Sequence, residues 1–193
     1  MICQSGKLLT IGIIILSLYT TSAYSQEGVI TADFSFQVPN GWVYKKNFLT
    51  DNSIILTRNE FANLLNPDKS AESLLDVVEK GVLLELGIDE HFRADNASLE
   101  KYVKYFLSNA NDNDVRVRNA TLGGERAIRV FLNGTEASKT SPMKNVTGSI
   151  NSISYLFFHR GEPYYIYYIS NENHFNTYLP ELEQMAKTFR FLK

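Results

Sequence analysis

Ile153–His159 (ISYLFFH) and Tyr164–Ser170 (YYIYYIS), joined by Arg160-Gly161-Glu162-Pro163, decide the fold. Both runs are β-branched or aromatic almost throughout, and the Gly-containing linker between them reads as the turn of an antiparallel hairpin. Successive strand side chains point to opposite faces. Tyr155 and Phe157 therefore share one face while Leu156 and Phe158 share the other. Tyr164, Ile166 and Tyr168 likewise oppose Tyr165, Tyr167 and Ile169. An antiparallel sheet with one wet face alternates apolar with polar residues. This ribbon is apolar or aromatic on both faces, so it needs a layer on each side. The fold class expected is α+β: a three-layer α/β/α sandwich around a central antiparallel sheet.

The segments on either side supply the other strands and the cover. Phe34, Phe36 and Val38 alternate with polar residues as a half-buried strand. Pro39-Asn40-Gly41 turns the chain, and Trp42-Val43-Tyr44 begins the strand expected to pair with it. Ser53–Arg58 is a third β-rich run, followed by a loop over 59–67. Ser70 to Leu86 reads as a helix, with Ser70 as N-cap, Leu75, Val78, Val82 and Leu86 on one face, and Gly87 closing it. A second helix is expected over Ser98–Ser108, where Leu99, Tyr102, Val103 and Phe106 form an amphipathic stripe. Val115–Arg118 and Ala127–Leu132 flank Leu122-Gly123-Gly124 as a further hairpin. Residues 133–151 read as a long exposed loop. A last helix is expected from Leu179, with Pro180 in its first turn.

The amino-terminal 25 residues read as a signal peptide: a short, weakly basic start, the apolar run Leu8–Leu18, and Ala23-Tyr24-Ser25 ahead of a cleavage site. The alternative is a retained membrane anchor, although Thr20, Thr21 and Ser22 interrupt the apolar run short of the roughly 20 residues a span needs. The domain is then 26–193, secreted or extracytoplasmic and associated with the cell surface. The one cysteine, Cys3, lies in the leader, so disulfides and thiolate chemistry are excluded from the mature domain. Lys and Arg number 19 against 21 Asp and Glu, without a basic run, which argues against a nucleic-acid partner.

Several segments resemble the PsbP-like family, related to the PsbP C-terminal domain. They are Phe34–Trp42, with its apolar strand, Pro, small turn and Trp; Leu122–Val130, a strand turning through Gly; and Tyr178–Phe189, with its Tyr, Pro, Met-containing helix and closing Thr-Phe. The resemblance implies an antiparallel sheet flanked by helices. It also implies a non-enzymatic accessory role, since no catalytic set comes with the family. Plant members are lumenal subunits of photosystem II that help retain calcium and chloride. The first strand here is expected soon after the cleavage site, without the long extension those members use, so no photosynthetic role is carried over.

Site candidates are few. Four N-glycosylation sequons, at Asn96, Asn119, Asn133 and Asn145, fall at expected loops, turns or helix entries. The run Asn109–Asp114 has the wrong residues at the positions an EF-hand requires, and reads as a solvated turn. Asp89, Glu90, His91 and Asp95 read as a charged connector rather than a metal site. Tyr164, Tyr165, Tyr167 and Tyr168, with His159 and His174, are the candidate ligand cleft. No elbow, phosphate loop or zinc spacing occurs, so neither an enzyme nor a cofactor is expected. The function expected is a secreted accessory or binding module docking on an envelope or membrane-associated complex, with peripheral membrane association. The alternative is an extracytoplasmic domain binding a small ligand or calcium.

Overall fold

The aromatic ribbon folds as read. In the computed structural model, which describes residues 28–48, 53–65, 70–92, 94, 96–108, 115–133 and 149–192, it forms β8 (Ile150–His159) and β9 (Glu162–Asn171). The two strands pair antiparallel with Phe157 opposite Tyr164 and Ile153 opposite Tyr168. Arg160 and Gly161 both take positive φ, 52° and 86°. That two-residue turn matches the right-handed twist of its strands. The expected leader and its cleavage site lie outside the described residues, as do Asn145 and the run 109–114. No helix among the described residues is long and apolar enough to cross a membrane.

The other elements are β1 (Gly28–Ile30), β2 (Phe34–Gln37), β3 (Trp42–Lys46), β4 (Ile54–Arg58), α1 (Ser70–Lys80), β5 (Val82–Ile88), α2 (Leu99–Ser108), β6 (Val115–Leu122), β7 (Glu125–Leu132), α3 (Glu172–Thr188) and β10 (Arg190–Phe191). A 3-10 helix covers Asn59–Leu64, within the segment read as a loop. Among the described residues seven strands form an antiparallel sheet in the order β3-β4-β5-β9-β8-β7-β6. A separate three-stranded sheet runs β1-β2-β10.

Both faces of the large sheet are covered, as the ribbon required. On one face Ile153, Tyr155, Phe157, Tyr164, Ile166 and Tyr168 pack with Phe175, Leu182 and Met185 of α3, and with Phe34 and Phe36 of the small sheet. On the other, Ile55, Leu83 and Ile169 pack under Leu74, Val77 and Val78 of α1. Ile128, Val130 and Leu156 pack there under Leu99 and Tyr102 of α2. The α+β sandwich around an antiparallel sheet is therefore the architecture, with the small sheet sharing the layer of α3.

Four expectations need correction. The helix read as Ser70–Leu86 ends at Lys80, and Val82–Ile88 is a strand at the centre of the sheet. Val78, Val82 and Leu86 fit helical spacing, but Val82, Leu84 and Leu86 also fit a strand face. Pairing with β4 and β9 makes Val82–Ile88 a strand, and Gly81 marks the boundary. A Cβ there would lie 2.4 Å from the Phe61 ring, and the Gly81 N–H closes the last helical turn on the Val77 carbonyl at 2.8 Å. Gly87 closes no helix and lies within β5, opposite Tyr165.

The strand of Trp42 does not pair with that of Phe34. Gly41, at φ 79°, and the Trp42 N–H to Pro39 carbonyl bond (3.1 Å) redirect the chain into the large sheet. β2 instead pairs with β1 and β10 in the facing layer. The last helix begins at Glu172, not at Leu179. The Asn171 side chain caps it by accepting the His174 N–H at 3.0 Å, which leaves Pro180 inside. Finally, of the loop read as 133–151, residues 150 and 151 belong to β8, and 134–148 lie outside the described residues.

Candidate functional site

The alternation Val-Arg-Val-Arg in β6 sends Arg116 and Arg118 to the face covered by α3. Register places Arg118 directly opposite Arg129 of β7, and Arg116 opposite Phe131. A groove of about 360 Å³ lies there between the β6–β7–β8 end of the sheet and α3. It is lined by Arg116, Arg118, Arg129, Asn133, Asn151, Glu172 and Asn176 over a floor of Phe131, Ile153, Phe175 and Leu179.

Two of the three guanidiniums are oriented by partners. That of Arg129 pairs with Glu183 of α3 at 3.2 Å and lies 6.0 Å from the centre of the Tyr155 ring. That of Arg116 lies 5.5 Å from the centre of the Phe131 ring. Among the described residues no carboxylate pairs with Arg118, which is exposed. Arginine stays charged and presents a planar fork of donors suited to carboxylates. What this groove can do is hold an anion carried on a partly apolar body.

A second polar feature crosses the opposite face. Glu85, Tyr167 and Ser154 form one row across β5, β9 and β8, and they separate the α1 cluster from the α2 cluster. The Tyr165 hydroxyl donates to Glu85 Oε1 at 2.7 Å. Burial lifts the Glu85 carboxyl above the ordinary carboxylate range, and the Tyr165 hydrogen bond opposes this only in part. Burial also pushes the Tyr167 hydroxyl up to about 12. The Ser154 hydroxyl is buried and, among the described residues, has no hydrogen-bond partner.

The residues of the expected cleft do not converge. Tyr168 lies in the core beneath α3 and Tyr164 beneath the small sheet, whereas Tyr165 and Tyr167 face α2 and α1. The Tyr168 hydroxyl donates to the Phe175 carbonyl at 2.7 Å, and that of Tyr164 to Asp33 at 3.2 Å. His159 stacks on Phe191 with ring centres 4.1 Å apart, its Nδ1 2.7 Å from Glu125 Oε1. His174 stacks on Tyr178 at the start of α3.

Asp89 accepts the backbone N–H groups of His91 and Phe92 at 3.1 and 3.2 Å, so it shapes the connector, while Asp95 lies outside the described residues. Asn96 and Asn133 are exposed at a turn and after a strand. Asn119 is exposed but sits within β6 opposite Ile128, where a loop or turn was expected.

The arginine groove leaves little trace in the sequence. Its signal was the two-residue period of Arg116 and Arg118, which a charge count registers as scattered cations. Glu85 was hidden by the helix assigned across it.

No family model matches the chain, and no curated protein matches it. Solved structures are similar at low identity. One is a protein from Bacteroides thetaiotaomicron, at 10% identity and a TM-score of 0.51, with 87% of this chain and 49% of that one covered. Another is the Ran-binding protein Mog1p from Saccharomyces cerevisiae, at 10% identity and a TM-score of 0.50, covering 86% and 94%. A third is CyanoP, the cyanobacterial PsbP from Synechocystis, at 12% identity and a TM-score of 0.46, covering 97% and 100%. The chain thus spans about half the length of the Bacteroides protein. At such identities the likeness is one of fold: a large antiparallel sheet flanked by helices.

Proposed function

We propose that this chain is an exported, non-enzymatic accessory module of PsbP-like type that docks on an extracytoplasmic or membrane-associated protein complex. One observation carries the reading: a groove on a net-acidic chain gathers three arginines, of which Arg118 faces Arg129 without a carboxylate of its own among the described residues. Like charges directly opposed across strands are unfavourable. An arrangement that disfavours the isolated fold is accounted for if an anionic partner completes it. Guanidinium and amide groups hold and orient; neither is a nucleophile or a proton carrier near neutral pH. The leader-like first 25 residues and the PsbP-like motifs support export and the accessory role.

Purification of the native protein from the envelope fraction of its source cell tests this. A stoichiometric protein partner, together with a mature chain beginning at Gln26, is expected. A chain that keeps its leader inside the cell, or an exported chain that runs alone at every salt concentration, contradicts the reading.

A second reading has its own observation, the Glu85–Tyr167–Ser154 row, in which the Ser154 hydroxyl has no hydrogen-bond partner among the described residues. Under it, a small polar ligand or calcium would bind between α1 and α2. Calcium titration followed by thermal unfolding, with Glu85→Gln as control, distinguishes it: stabilisation that Glu85→Gln abolishes would favour this reading over the first.

A further inference from the structure

We propose that the occupant of the arginine groove is an extended acidic segment of a partner protein, which adds as a further strand to β6. The inference rests on the docking reading above and gives that partner its chemistry. Among the described residues β6 is terminal in the sheet and pairs only with β7. A terminal strand offers a row of N–H and C=O groups that an extended chain can pair with. β6 is eight residues long, enough for such an addition.

Its side chains state which segment fits. Residues directly opposite on adjacent strands point to the same face. A strand laid on β6 would therefore set two of its side chains, two residues or roughly 6.6 Å apart, beside Arg116 and Arg118 over the groove. Carboxylates at those positions match both charge and spacing. The side chain between them would fall on the other face, beside Val117. Val117 is 48% exposed, one of two large apolar side chains this open among the described residues. The complement is therefore acidic, apolar, acidic.

A second copy of this chain fits poorly. Pairing β6 with β6 about a two-fold axis would bring guanidiniums against guanidiniums on one face.

The probe is an N-acetylated heptapeptide alternating glutamate and valine, titrated into the full protein. Its control is the same peptide N-methylated at every residue, which keeps the charges and removes every amide donor a strand pairing would use. Binding is expected, with slowed amide exchange confined to β6. Both N-methylation and Arg118→Glu should weaken binding about tenfold or more. If the methylated peptide binds equally well without protecting β6, strand addition is overturned while the anion-docking groove stands. If neither peptide binds, and a native partner is still captured by Arg118→Glu, both the inference and the groove reading fail. Self-association through β6 in place of peptide binding would also overturn the proposal.

Discussion

Arg118 of β6 and Arg129 of β7 are direct cross-strand partners on the face beneath α3. Glu183 of α3 neutralises Arg129 at 3.2 Å and, among the described residues, no carboxylate does the same for Arg118. The sheet therefore carries a charge conflict where it is most open.

That conflict predicts a stability gain on charge reversal. Arg118→Glu places a carboxylate opposite Arg129 and should stabilise the protein by about 0.2–1 kcal/mol, the range of cross-strand charge pairs. Urea unfolding at low salt measures it, and the gain should shrink as salt screens the pair. A loss of stability would mean that Arg118 already has a partner.

The two-faced core predicts that neighbours in sequence are equally indispensable. Leu156 and Phe157 are both fully buried, one beneath α2 and the other beneath the small sheet. Leu156→Ala should cost about 2–5 kcal/mol and Phe157→Ala about 3–5 kcal/mol. Near-neutrality of either in urea unfolding would show that one face is open.

Gly81 should tolerate no side chain while Phe61 is present. Its Cβ would meet the Phe61 ring at 2.4 Å, so Gly81→Ala should cost about 1–3 kcal/mol. Phe61→Ala together with Gly81→Ala should lose less than the two single losses added, because one change makes room for the other.

Glu85 makes stability fall as pH rises. Its carboxyl is raised by burial, so the folded chain holds a proton that the unfolded chain has released. Stability from this group is complete below the unfolded value and is lost as pH climbs through the raised folded one. Glu85→Gln keeps an acceptor for the Tyr165 hydroxyl and no longer ionises. Thermal unfolding should show it more stable than the parent at pH 7 to 8 and little different near pH 4. The reverse order would contradict the buried placement.

What the residues disclosed in advance follows from how local each signal was. The β8–β9 hairpin and the two covered faces were legible because alternation is a property of adjacent residues. α2 was legible from its stripe, with Ser98 accepting the Lys101 N–H at 3.2 Å as its cap. β5 was not legible, since Val82–Ile88 is drawn into the sheet by pairing with β4 and β9, which lie far off in sequence, and the ring that restricts position 81 to glycine, Phe61, stands twenty positions earlier. The start of α3 was misplaced because Pro180 is also a good first-turn residue, whereas the cap that acts is the Asn171 side chain. The groove was out of reach for the same reason as β5. Arg129 joins Arg116 and Arg118 only through the β6–β7 register, and Glu183 joins through the packing of α3. The expected Tyr164–Tyr168 cleft dispersed because the alternation that revealed the sandwich also sends those rings to opposite sides.

Capturing partners from the envelope fraction with the parent and Arg118→Glu proteins side by side shows whether the groove docks an acidic partner. The expected result is a partner held by the parent, released by salt, and lost with Arg118→Glu although that variant is at least as stable. Equal capture by both proteins at every salt concentration would contradict it.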